Sequence, residues 1–336
     1  MPGTTAPEEE LLALAEAMRD AGGGVLQMIP SGTSGGVEGE EGENIMAGIA
    51  SLRDKHSLTT EIAMMRRIHR ATGQPITFTF ADNPGLGDSE YQRARGAIDE
   101  IRAAGEQIRP QFSPRSVGML LSLDTYHAFT MRPSYLALAD LSLAARATRM
   151  ADPAVKAAIL GEIDDDPGTD DPFKHLHTTV QRNMASIFSL AGMDYEPDPA
   201  SSMAGLGRAQ GRGPLDVCYD MLLADEGTAF LIWFSPGYGD GDLRKKEDCI
   251  ADPLCVMGLG DGGAHVSVIC DASFPTFLLS HWGKKRTRGR TFPVEMLVSK
   301  LTKDPADLYG LTDRGVLVEG KRADINVIDW VWTLGV

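Results

Sequence analysis

Up to Phe112 the chain passes three times through one unit, a helix patterned at three- and four-residue spacing followed by a short run of β-forming residues. In the first unit Thr5 and Glu8 stand at capping-box spacing, and Leu11, Leu12, Ala15 and Met18 recur along one helical face. Gly22, Gly23 and Gly24 then stop the helix before an apolar run at 25–29. The second unit joins a helix over 58–71 to a strand over 75–80, and the third a helix over 91–104 to a strand over 107–112. Parallel strands need a long crossover, which helices of this length supply, so the pattern selects an α/β fold with a parallel sheet.

The rhythm then breaks. Residues 115–215 read as a helical excursion, clearest over 134–150 and 153–163, with a solvated acidic loop at 164–172. Alternation returns with a helix over 215–223, a strand over 229–234, a helix over 242–251 and a strand ending at Asp261; two further helices follow over 275–282 and 293–303. From Gly315 to Asp329 turn glycines and alternating apolar residues predict antiparallel β structure.

Asp261 is the leading candidate for chemistry. It follows the apolar run Cys255-Val-Met257 inside Gly258-Leu-Gly-Asp-Gly-Gly-Ala-His265, and an α/β barrel carries catalytic and metal-binding groups at such strand ends. The plainer account of an Asp-Gly-Gly run is a helix-capping carboxylate in a turn.

The 336 residues are 43% hydrophobic, enough for a buried core, and the formal charge of -15 argues against nucleic acid and anionic membrane surfaces as partners. A small molecule or another subunit fits better. Cys218, Cys249, Cys255 and Cys270 lack metal-type spacing and lie in or beside apolar stretches, which predicts reduced, buried thiols and a cytoplasmic setting. The apolar run at 229–234 is far too short to span a bilayer, and the N-terminus lacks a signal-peptide pattern.

Gly260-Asp-Gly-Gly-Ala-His265, Phe274-Pro-Thr-Phe-Leu-Leu-Ser-His-Trp282, the stretch 300–311, Asp313-Arg-Gly315 and Gly320-Lys-Arg-Ala-Asp-Ile325 follow one another in order. Together they resemble the amidohydrolase superfamily, in the branch of N-acyl-D-amino-acid deacylases, or D-aminoacylases. More loosely, Pro2-Gly-Thr with Glu9-Glu-Leu11 is similar to the segment after that branch's fourth barrel strand. The resemblance implies a (β/α)8 TIM-type barrel with one or two divalent metals, usually zinc, and a small β-sandwich domain built from both chain ends. Against that template the chain starts in mid-barrel. Residues 1–314 make a partial barrel with a helical insertion at about 115–215, and 315–336 begin the C-terminal β domain. Five strands against the barrel's eight agree with a fragment, inactive by itself and prone to aggregate through open edges.

The activity implied is hydrolysis of carbon–nitrogen bonds in linear amides, with an N-acyl-D-amino acid or related N-acyl compound as substrate. Asp261 matches the family's strand-end aspartate, which shuttles a proton from a metal-activated water to the leaving nitrogen and also ligates metal. The remaining ligands are not in this chain: the superfamily's His-x-His would lie upstream of Met1. The branch's next two histidines should fall near Ile29 and Phe80, where the residues are apolar.

His265 is a candidate substrate contact or a packed loop anchor. Arg115 and Gln111 close the third unit, where the guanidinium could hold a substrate carboxylate or simply bridge loops. His175-Leu-His177 has metal-like spacing for a strand, but its context reads as a solvated helix start. His281 reads as core; Arg314 and Asp324 read as structural. A cyclic-amide hydrolase of the same superfamily and a non-catalytic relative are the alternatives, and an oligomer is compatible with both.

Overall fold

The structure, a computed structural model, describes residues 6–30, 57–82, 87–169, 174–234, 237–258, 260, 269 and 271–330. The three N-terminal units form as α1 (Glu8–Asp20) and β1 (Leu26–Met28), α2 (Leu58–Thr72) and β2 (Ile76–Thr79), and α3 (Gly87–Ala104) and β3 (Ile108–Phe112). The excursion holds β4 (Gly118–Leu121), α4 (Pro133–Leu136), α5 (Leu143–Met150), α6 (Pro153–Gly161), α7 (Leu176–Arg182), β5 (Ile187–Ser189) and α8 (Met203–Gln210). Then come α9 (Pro214–Leu223), β6 (Leu231–Phe234), α10 (Arg244–Ala251), β7 (Val256–Met257), α11 (Phe274–Ser280), α12 (Val294–Leu301) and α13 (Lys303–Leu308).

Local chemistry sets several boundaries. The Ser57 hydroxyl accepts from the Thr60 N–H at the start of α2, and Gly73, at φ 72°, takes the left-handed conformation that ends it. α1 begins behind Pro7 without a side-chain cap; Thr5 of the expected capping box lies outside the described residues.

β1, β2, β3 and β7 form one parallel sheet in that order, with Ile76 opposite Ile108 and Phe112 opposite Met257. Its two faces differ. Ile76, Phe78, Ile108 and Phe112 join Ile62 and Met65 of α2 and Ala94 and Ile98 of α3 in one apolar core. Alternation sends Gln27, Thr77, Thr79, Arg109 and Gln111 to the opposite face. The α/β class with a parallel sheet and helical crossovers is as expected, and the barrel is not closed among the described residues.

The second sheet departs from the expectation. The predicted strand at 229–234 does not join the parallel sheet: β6 pairs antiparallel with β4 on one side and β5 on the other, both inside the stretch expected to be helical. It separates two cores, with Phe188, Ile232 and Phe234 packing toward the parallel sheet and Ile187, Leu231 and Trp233 toward the helices of the excursion. A strand buried on both faces reads as a continuous apolar run, as parallel strands do, so composition could not assign its partner. The expected antiparallel structure at 315–329 is also not formed: 311–330 run without a strand, leaving Leu317, Val318, Ile325 and Val327 exposed. No helix of the described residues is long and apolar enough to cross a membrane.

Candidate functional site

The C-terminal ends of β1, β2, β3 and β7 emerge side by side, the edge where parallel α/β folds gather chemistry. β7 reaches it through Gly258, whose N–H still donates to the Phe112 carbonyl at 2.9 Å. A Cβ on Gly260 would lie 2.1 Å from the Asp271 carbonyl oxygen, a backbone-to-backbone approach that only glycine allows. Asp261 and His265, the predicted shuttle and substrate contact, lie outside the described residues.

Arg115, just past β3, is 1% exposed. Nη1 pairs with Asp271 at 2.6 Å and donates to the Ser116 carbonyl at 3.1 Å, while Nη2 donates to Ser273 Oγ at 3.2 Å. The guanidinium carbon sits 4.2 Å from the Tyr195 ring centroid and 4.7 Å from that of Phe274. These contacts fasten the β3 end to the turn ahead of α11. Its Nε is buried without a hydrogen-bond partner among the described residues. Gln111 closes the same strand, and a Cβ on Gly258 would meet its Oε1 at 3.4 Å.

A second polar group at this edge was missed from the sequence. Asp82 follows β2 and is 6% exposed, with Oδ1 buried and lacking a hydrogen bond among the described residues. Burial pushes its carboxyl up against the opposing pull of Lys246 and Lys245. Lys246, 3% exposed, donates to Ser113 Oγ at 3.1 Å, and Lys245 Nζ stands 3.9 Å from Asp82. The rule that singles out Asp261, a carboxylate just past a buried strand, applies equally to Asp82 after Phe80.

Phe80 and Ile29, which stand near the family's ligand histidines, differ in surroundings. Phe80 faces the helices, stacked on Tyr91 with centroids 5.4 Å apart, whereas Ile29 is 64% exposed. His177 lies in the first turn of α7 with Nε2 3.9 Å from Asp164, a helix start rather than a strand. His281 donates to Glu196 and stacks on Phe277. Among the described residues no three His, Cys, Asp or Glu side chains converge as a metal would require. These residues therefore do not form a divalent-metal site among themselves.

A family model described as "Amidohydrolase family" matches residues 3–331. No curated protein matches the chain. Among solved structures, the chain is similar to an N-acyl-D-glutamate deacylase from Bordetella bronchiseptica, complexed with zinc and a phosphonate inhibitor. That match has 17% identity over 96% of this chain and 50% of that one, with a TM-score of 0.44. A D-aminoacylase described for its binuclear metal centre matches at 15% identity over 92% of this chain and 47% of its own, TM-score 0.41. A D-aminoacylase said to define a novel subset of amidohydrolases matches at 14% over 95% and 48%, TM-score 0.43. The chain thus spans about half the length of the solved structures it matches.

Proposed function

This chain belongs to the amidohydrolase family, and from that premise we propose that it serves the hydrolysis of linear amides, with an N-acyl-D-amino acid or a related N-acyl compound as substrate. The observation that carries the reading is the path of β7. It runs parallel beside β3, stays in register through Gly258, and is followed three residues later by Asp261. In this reading Asp261 takes the proton of the attacking water and returns it to the leaving nitrogen. His265 and Arg115 contact the substrate, Arg115 through its Nε–H, which Asp271, Ser116 and Ser273 do not engage. The division of the chain near Gly315 belongs to the same proposal.

A divalent metal, zinc in the deacylase structure above, would polarise the amide and acidify the water when bound. The described residues do not assemble its ligands, so only Asp261 is assigned to it.

Release of free D-amino acid from a panel of N-acyl-D-amino acids, with and without added zinc, tests the reading. Asp261→Asn is expected to lower the rate by about 100-fold or more. Equal rates in the variant and the parent would overturn it, and hydrolysis of cyclic amides alone would favour the cyclic-amide alternative. A non-catalytic relative is the second reading, favoured by apolar Ile29 and Phe80; chelator-sensitive hydrolysis would refute it.

A further inference from the structure

The strand ends hold a carboxylate and an ammonium group to which the proposed hydrolysis gives no role. The Phe80 N–H, just past β2, donates to the Gln111 carbonyl of β3 at 2.7 Å, so Asp82 and Ser113, each two residues further on, leave the sheet side by side. Lys246 comes to this point from the first turn of α10. Its Nζ donates to Ser113 Oγ at 3.1 Å, and a Cβ on Gly237 would stand 3.1 Å from that nitrogen. The Ser116 hydroxyl holds the glycine there by donating to its carbonyl at 2.7 Å. Lys245 is committed to Asp88 at 2.9 Å and Asp240 at 3.2 Å, and keeps 3.9 Å from Asp82 Oδ2. Asp82 is 6% and Lys246 3% exposed, and Asp82 Oδ1 accepts no hydrogen bond among the described residues.

We propose that Asp82 and Lys246 form a specificity subsite for a primary carboxamide on the substrate, its N–H donating to Asp82 Oδ1 and its oxygen accepting from Lys246 Nζ. This deepens the hydrolysis reading and rests on it, since it takes an N-acyl compound to bind at this edge. The argument is complementarity. A buried acceptor left unpaired is costly, and an ammonium group that uses one N–H on Ser113 has others to donate. A carboxamide presents an N–H and a carbonyl oxygen from one carbon, matching an acceptor and a donor that stand on neighbouring strand ends. A carboxylate in its place would meet the Asp82 charge, an ammonium group would meet Lys246, and a methyl group would leave both unpaired. Of the two lysines, Lys246 pulls harder on the Asp82 carboxyl, in keeping with its place beside Ser113.

The subsite is not sealed. Ser113 is only partly buried, and Lys245 lines a cleft of about 420 Å³ together with Asp88 and Asp240.

The test is isothermal titration calorimetry on the chelator-treated chain with N-acetyl-D-glutamine and its analogues of matched length, N-acetyl-D-glutamate, N-acetyl-D-ornithine and N-acetyl-D-norleucine. The carboxamide is expected to bind at least about 10-fold more tightly than each of the other three. Asp82→Leu should erase its advantage over norleucine, and Lys246→Met should narrow it. These are ratios between ligands on one protein, which a general loss of stability does not move. Equal affinities for the four, a preference for any of the other three, or no binding of the carboxamide would overturn the proposal. So would an unchanged ratio in Asp82→Leu, and should that variant fail to fold the parent's ratios still decide. Because binding is read without turnover, hydrolysis of the panel without this preference would sink the subsite and leave the hydrolysis reading standing. The preference without Asp261-dependent hydrolysis would support the subsite alone.

Discussion

Glu196→Gln is the substitution whose cost the structure determines most directly. Glu196 is 3% exposed at its side chain, and Arg286, at 0%, donates to it through Nε at 3.0 Å and Nη2 at 3.2 Å. His281 Nε2 and the Leu243 N–H each add a bond at 3.0 Å. Burial works to raise this carboxyl, but the bonds from His281 and Arg286, the Arg286 charge and the Leu243 N–H outweigh it and hold it at about 2 instead of the ordinary 4.5. Each pH unit of displacement is worth about 1.4 kcal/mol, so the charged form contributes about 3 kcal/mol. A depressed carboxyl contributes fully above 4.5 and loses its contribution as pH falls toward 2. Urea unfolding followed by circular dichroism should therefore find the variant less stable by about 3 kcal/mol at pH 7, and by only about 1.4 kcal/mol at pH 3. A gap under about 0.5 kcal/mol at pH 7, the range of an ordinary surface substitution, would refute the reasoning, as would a gap that ignores pH.

Burial, followed by the Arg146 charge, holds His127 down to about 3, so it folds neutral and favours unfolding when protonated. Stability should fall as pH drops below 6.5, and His127→Asn, which keeps an acceptor for the Phe129 N–H, should remove about 1.4 kcal/mol per pH unit of that slope in acid titrations of chemical unfolding. Gly260→Ala must displace the Asp271 carbonyl, and a loss of about 1–3 kcal/mol in the same unfolding assay is expected; an unchanged midpoint would contradict the close approach. Arg115→Met leaves the Asp271 carboxylate without its guanidinium in a buried site. Scanning calorimetry should register about 3–5 kcal/mol of destabilisation, and a near-normal transition would deny Arg115 its fastening role.

The helix–strand units were legible because their signals are local. Ser57 and Gly73 bound α2 by side-chain and backbone chemistry acting within one turn, and the spacing of Ile62, Met65 and Ile68 fixes the face it buries. The same locality makes Asp261 conspicuous, since glycines and an apolar run flank it directly. The candidate site was less legible. Arg115 stood out, but not Asp271, its partner from a distant stretch. Nor did Asp82 and Lys246, whose importance lies in burial beside strands and helices remote from one another in the chain.

By itself, then, the sequence determined the α/β class, the three N-terminal helix–strand units and the residues that resemble the amidohydrolases, because each depends on spacing within a few turns. Only the tertiary structure decided that 231–234 pairs antiparallel with 118–121 and 187–189, and that Phe80 turns to the helices while Gln111 turns away. Strand partners are chosen by hydrogen bonds and shared faces between segments far apart in the chain, and an apolar tetrapeptide carries no mark of which neighbour will complete it.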